Sequence, residues 1–182
     1  MAEEQTISLV VTPLAADANS YATVEDADTY LSTKVAIPPA LWFADTTTPD
    51  SKARALIAAT RYLDRVYNWN GTTRTATQVL RWPRSAVVDQ DGNSVDQETI
   101  PANVRAATIE LAALLLEKDR LAEPSVLGQG FSSAKLGPLE VTVDPSQVLP
   151  AIPYAVDMLV SDLGSLRTQP GDNSAILPLA RA

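Results

Sequence analysis

The sequence predicts a mainly α protein: a small bundle of about four helices with a short β-hairpin or arm strands and an extended C-terminal tail. Three observations carry this. Apolar residues recur at 3.6-residue spacing across residues 50–67, an apolar run extends from Val104 to Leu121, and β-branched runs are limited to two short segments. The 182 residues suit one domain of ordinary size, long enough to bury a core without disulfides or metal.

Residues 1–18 read as an N-terminal strand or arm, because Ile7-Ser8-Leu9-Val10-Val11 is short, β-branched and closed by Pro13. The helical domain spans residues 19–166. Its first helix opens at a capping box, with Thr23 as N-cap and Asp26 three residues on, and runs from Val24 to about Ser32. Residues 35–49 hold Pro38, Pro39 and Pro49 and form a loop anchored on the core by Leu41, Trp42 and Phe43. Pro49 and Asp50 open a second helix that reaches about Tyr67. One face carries Ala53, Leu56, Ile57, Thr60, Leu63 and Tyr67, and the other Arg54, Ala58, Arg61 and Arg65.

Asn68 to Thr77 is loop, in which Asn70-Gly71-Thr72 reads as a turn and not a glycosylation site. Gln78 to Arg84 is extended, since Pro83 pushes Trp82 out of helical geometry. Asp89-Gln90-Asp91-Gly92-Asn93 is a turn between Val87-Val88 and Val95. Its acidic spacing imitates a calcium loop but fails, with Ser94 where the glycine belongs and Ile100 where a bidentate glutamate belongs.

Thr99 caps the third and central helix, with Pro101 in its first turn. Asn103, Glu110, Glu117 and Arg120 leave it only a thin polar seam. Leu139-Glu140-Val141-Thr142-Val143 alternates with period two, which makes residues 134–144 a β-strand arm. Pro153 begins a fourth helix with Val156, Leu159, Val160 and Leu163 on one face, and Gly164 stands as its C-terminal cap. Residues 167–182 form a flexible tail whose apolar end, Ala175 to Ala180, has the character of a docking peptide.

Cysteine and histidine are both absent, which removes thiolate and imidazole ligands and every Cys- or Ser/His-based nucleophile. Carboxylates such as Glu110, Glu117, Asp89 and Asp91 lack the spacing of a metallohydrolase, so no enzyme, metal or cofactor is expected. The formal charge of -8 disfavours tight nucleic-acid binding while suiting a conduit along which DNA slides. No signal peptide or membrane span is expected, so the protein should be soluble and made in the cytoplasm.

The order of several segments carries a family resemblance. Asn19 to Leu31, Lys52 to Leu63 with Ala59-Thr60-Arg61-Tyr62-Leu63-Asp64, Gln78 to Arg84, the Asp91-Gly92 turn, Ile100-Pro101, Ala107 to Ala112 and Ser133 to Val141 stand in one series. That series resembles the head-to-tail connector (adaptor) proteins of tailed bacteriophages, often labelled DnaT-like.

The resemblance implies a non-enzymatic virion protein, assembled in the host cytoplasm and resident in the neck. It would form a homo-oligomeric ring of about a dozen copies beneath the portal. Such a ring would extend the DNA channel without sequence-specific contact to the duplex and offer an attachment surface to the tail or a second connector. Ile176, Leu177, Pro178 and Leu179 would then dock on the portal. Ile7, Leu9, Leu139, Val141, Val143, Arg54, Arg61 and Arg65 would join subunits, and Glu110 and Glu117 would line the channel.

The alternative is a DnaT-like replication protein that binds single-stranded DNA. Such binding wants a basic groove with interleaved aromatics. Trp69, Trp82, Tyr62 and Tyr67 lie near Arg61, Arg65, Arg74, Arg81 and Arg84, which gives it a local basis. Against it, Arg81-Trp82-Pro83-Arg84 reads better as a segment that packs its tryptophan in the core, with the arginines paired to acidic neighbours.

Overall fold

The computed structural model describes residues 7–34, 40–117, 133–136, 139–142 and 152–167. Among these residues are four helices, α1 (Val24–Ser32), α2 (Pro49–Val66), α3 (Ala102–Glu117) and α4 (Tyr154–Val160). Six short strands accompany them: β1 (Tyr67–Trp69), β2 (Thr72–Thr73), β3 (Arg84–Ser85), β4 (Ser133–Leu136), β5 (Leu139–Thr142) and β6 (Gly164–Leu166). The strands form three antiparallel pairs, β1 with β6, β2 with β3 and β4 with β5. The expected mainly α bundle is therefore corrected to a small helical protein in which short strand pairs share the work of closing the fold. The reason is visible at the end of α2, where Tyr67 and Trp69 take over from helix formers.

α1 begins as its capping box dictates: the Thr23 hydroxyl accepts from the Asp26 amide at 3.0 Å and the Asp26 carboxylate accepts from the Thr23 amide at 3.1 Å. α2 starts on Thr48, whose hydroxyl accepts from the Ser51 amide at 3.2 Å, with Pro49 in the first turn where its missing N–H costs nothing. Leu56 and Leu63 are fully buried on its inner face, each contributing on the order of 1.5–3 kcal/mol of apolar burial. The helix stops at Val66 because Tyr67-Asn68-Trp69 turns to strand geometry, whose period of two sends both aromatic rings inward and Asn68 outward. β6 then pairs Leu166 with Tyr67 and Gly164 with Trp69. Gly164 thus serves as a strand residue pressed against Trp69 and not as the C-terminal cap of α4.

α3 is central and packs against α2, α4 and α1. Val104, Ala107, Thr108, Leu111, Ala112 and Ala113 are all essentially inaccessible. Thr108 satisfies its buried hydroxyl by donating to the Val104 carbonyl one turn back, at 2.8 Å. Trp42 anchors the preceding loop as expected, fully buried and donating its indole N–H to Asp28 at 2.7 Å, while Leu41 and Phe43 stay largely exposed. The Asp89–Asn93 turn closes through a Val88–Ser94 bridge, with the Asp89 carboxylate accepting from the Asn93 and Asp91 amides.

Two strand expectations change. The segment from Ile7 is not a strand: its backbone is held by Asn19, whose side chain accepts from the Val10 amide at 2.9 Å and donates to the Ser8 carbonyl at 2.9 Å. Ile7 and Leu9 are half-buried against the body of the same chain. Leu139–Thr142 finds its partner within the chain, in Ser133–Leu136, with Val141 opposite Ala134. Val143, Arg120, Leu121 and the tail residues Ile176, Leu177, Pro178 and Leu179 lie outside the described residues.

Candidate nucleic-acid interface

The outer face of α2 carries the candidate site. Arg61 and Arg65 stand one helical turn apart and exposed, with half-buried Tyr62 beside them. Across from them runs the segment Val79 to Arg81. Together with Asn19 and Asp64 these residues line an open groove of about 810 Å³. Arg54, the fourth position of the predicted arginine face, is exposed but outside this lining.

The groove is held in shape from below. Asp64 accepts the Tyr21 hydroxyl at 2.6 Å and the Arg81 amide at 3.0 Å, and the Tyr21 oxygen in turn accepts the Trp82 amide at 3.1 Å. Gln78 adds a second brace, donating to the Leu80 and Pro83 carbonyls. The extended segment is thereby fastened to α2, which fixes where Arg81 leaves the backbone.

The charges divide clearly. Among the described residues, Arg61, Arg65 and Arg81 take part in no ion pair; the pairs that exist are Lys34–Glu110, Lys52–Asp28 and Arg74–Glu98. Asp64 is the one acid of the lining. Burial pushes its carboxyl above the ordinary aspartate range, while the hydrogen bonds from Tyr21 and Arg81 pull the other way. Burial also raises the Tyr62 hydroxyl, so it remains a protonated donor at neutral pH.

Of the aromatics expected to interleave with arginines, the structure brings only Tyr62 into the groove. Tyr67 and Trp69 stack with centroids 5.0 Å apart, Trp82 meets Trp69 edge-on at 5.6 Å, and all three are buried. Trp82 packs in the core, but among the described residues Arg84 pairs with no acid. Its guanidinium is buried and donates to the carbonyls of Asn70, Gly71, Arg81 and Trp69 at 2.6, 2.8, 3.2 and 3.4 Å. Gly71, with φ of +67°, is needed here because a Cβ would stand 2.2 Å from the Ser85 carbonyl oxygen. Arg74 is engaged by Glu98 at 2.8 Å on the surface.

The acids expected to line a channel stand outside this groove. The Glu110 carboxylate is almost enclosed and accepts from Lys34 at 2.6 Å and from the Tyr30 hydroxyl at 3.1 Å, so it ties α3 to α1. Glu117 is exposed at the last residue of α3. Sequence reasoning missed Asp64, Asn19 and Gln78 as organisers of the groove. The available signal was Asp64 beside the arginine stripe, one turn from Arg61 and out of place on an apolar flank.

No curated protein and no solved structure matches the chain. A family described as "Putative DnaT-like ssDNA binding protein" matches residues 7–181. That match overturns the connector identity and what hung on it: the portal, the ring of about a dozen copies, the duplex in a lumen and the attached tail. The physical inferences behind the ring also lose their footing, since the strand from Leu139 is paired within the chain and α3 is covered by α1, α2 and α4. The chain belongs to the DnaT-like single-stranded-DNA-binding protein family.

Proposed function

We propose that the chain binds single-stranded DNA in the groove between α2 and residues 79–81, as a non-catalytic partner of DNA replication. The observation that carries this is the gathering of Arg61, Arg65 and Arg81, none in an ion pair among the described residues, around one accessible aromatic ring, Tyr62. Guanidinium groups fork onto phosphate oxygens, and an aromatic face stacks a base. Family membership supports the same ligand. The net charge of -8 sets the scale: attraction is local to the groove, opposed by the rest of the surface, and strongly dependent on salt.

The test is fluorescence anisotropy of a labelled oligothymidylate titrated with the full chain across a salt series. The combined substitution Arg61→Ala, Arg65→Ala and Arg81→Ala should abolish binding while leaving the thermal unfolding midpoint in place, because all three side chains are exposed. Undiminished binding by that folded variant would remove the groove from consideration.

A further inference from the structure

We infer that the single-strand site proposed above, on which this inference rests, does not stop where α2 stops: it runs on over the outer face of the β1–β6 pair, where Arg167 takes a further phosphate. The backbone joins the two surfaces. Val66 is the last residue of α2 and lines the groove, and its carbonyl accepts the Arg167 amide at 2.7 Å. Arg167, from the far end of the described chain, is thereby held at the end of the arginine face. The placement is firm, because Tyr67 pairs with Leu166, Asn68 with Ser165 and Trp69 with Gly164. Gly164 lies so close to β1 that a Cβ there would stand 2.8 Å from the Asn68 carbonyl oxygen. Alternation turns Tyr67 and Trp69 inward and leaves Asn68 and its partner Ser165 exposed on the outer face. Arg167, two residues beyond Ser165, is exposed and takes part in no ion pair among the described residues.

The ladder's outer face thus offers an amide, a hydroxyl and a guanidinium, each able to donate to phosphate or sugar oxygens. Arg61, Arg65 and Arg167 follow one another in a single direction, the first two about 6 Å apart along α2. The favourable surface has a limit. Asp162 is exposed at the far end of the ladder, where its carbonyl accepts from the Asn70 side chain at 3.1 Å, and its carboxylate repels a phosphate carried further. The three residues of β1 span about 7 Å, room for one or two nucleotides beyond the groove. A cation here also complements the partial negative charge at the C-terminal end of α2. Arg65 already serves that role from the last turn, and it predicts an effect on stability with none on strand length.

The experiment uses the full chain and two labelled oligothymidylates, a short one of about 4 nucleotides and a long one of about 12, titrated across a salt series. Arg167→Ala should bind the short strand as the parent does and the long strand about three- to tenfold more weakly. Its slope of log K against log salt should be shallower by about 0.7, the share of one phosphate, for the long strand alone. Arg167→Lys should recover most of that loss. Because a substitution beside the end of α2 can also loosen the fold, the parent chain supplies a second reading. Mass spectrometry after treatment with p-hydroxyphenylglyoxal, which modifies accessible arginines, should find Arg167 shielded by the long strand and reactive in the presence of the short one. Equal weakening at both lengths, or Arg167 as reactive with the long strand as without it, overturns the extension and leaves the groove standing as long as the parent binds. Failure of the parent to bind either strand overturns both.

Discussion

Tyr21 and Asp64, 43 residues apart, meet in a 2.6 Å hydrogen bond whose donor oxygen also accepts the backbone amide of Trp82 at 3.1 Å. One buried phenol thus ties the entrance to α1, the outer face of α2 and the Val79–Trp82 segment into a single unit. Its hydroxyl is pushed well above the ordinary tyrosine range, by burial first and by the Asp64 charge second, so it is a permanent donor in this position.

Tyr21→Phe keeps the ring and removes the oxygen, leaving the Trp82 amide without its acceptor and Asp64 with the Arg81 amide as its remaining donor. The expected loss is about 1–3 kcal/mol of stability, read from the midpoint of urea unfolding. Affinity for single strands should fall as well, because Arg81 is no longer held opposite Arg61 and Arg65. A variant with an unchanged midpoint would show that the relay contributes nothing.

Arg84 and Arg81 should separate in the opposite way. Arg84 is only 7% exposed and gathers four backbone carbonyls, so Arg84→Met strands those acceptors and is expected to cost about 2–4 kcal/mol. Arg81→Ala removes an exposed side chain and should leave the melting temperature within about 3 °C while lowering single-strand affinity. Calorimetry and anisotropy on the two variants check this. Equal effects of both substitutions on melting would contradict the division of roles.

What was legible in the sequence, and what was not, follows from the range of the forces involved. Thr23 and Asp26 sit three residues apart and act on each other directly, so the start of α1 can be read from them; Pro49 behind Thr48 is equally local. The arginine face of α2 follows from periodicity alone. The β1–β6 pair was invisible, because Tyr67 and Leu166 lie on either side of most of the chain and neither strand has the length to declare itself. The charge of Arg84 points to acidic partners, because sequence shows that charge and not the carbonyls that Gly71 and Asn70 turn towards it. The aromatics were read as a group, and only the fold distinguishes Tyr62 from three buried rings. The connector identity came from the order of segments, which resembles a family without determining its ligand.

Lys34 and Glu110 give a coupling test. Their contact of 2.6 Å joins the C-terminal end of α1 to the middle of α3, with the carboxylate nearly enclosed and the ammonium one-third exposed. Lys34→Met leaves a carboxylate short of its counter-charge and should cost about 1–3 kcal/mol. The double variant Lys34→Met with Glu110→Gln should recover at least about 1 kcal/mol relative to the sum of the single changes. Strict additivity in urea unfolding would show that the two groups do not interact.

Acid should loosen the turn after β3 only below the pH at which it reaches Asp64 in the groove, whose carboxyl lies above the ordinary aspartate range. The Asp89 carboxyl is held below the usual carboxylate range, chiefly by the Asn93 amide, with the Asp91 and Gly92 amides assisting. A depressed folded pKa means that the turn's contribution is fully present above the ordinary carboxylate value of about 3.9 and is lost as pH falls through the lower value that Asp89 has when folded. Amide exchange at Asn93 should therefore accelerate only in strong acid, and Asp89→Asn should show the faster exchange already at neutral pH. Exchange that accelerates near neutral pH in the parent chain would assign the turn to some other group.

The three tryptophans separate binding from packing. Trp42 and Trp82 are at most 1% exposed and Trp69 is 9% exposed, so none has a ring face to offer a base. If Tyr62 is the stacking residue, saturating the groove with oligothymidylate should leave tryptophan emission unmoved in wavelength, with acrylamide quenching as low in the complex as in the free chain. Trp82→Phe tests the same division from the other side. Filling most of the ring volume retains the edge contact with Trp69 and removes an indole N–H that has no hydrogen-bond partner among the described residues, so the expected cost in stability is below about 1.5 kcal/mol, with single-strand affinity unchanged. A shift in tryptophan emission on binding, together with loss of affinity in a folded Trp82→Phe variant, would mean that the aromatic cluster opens to receive the strand and that the groove on α2 is not the whole site.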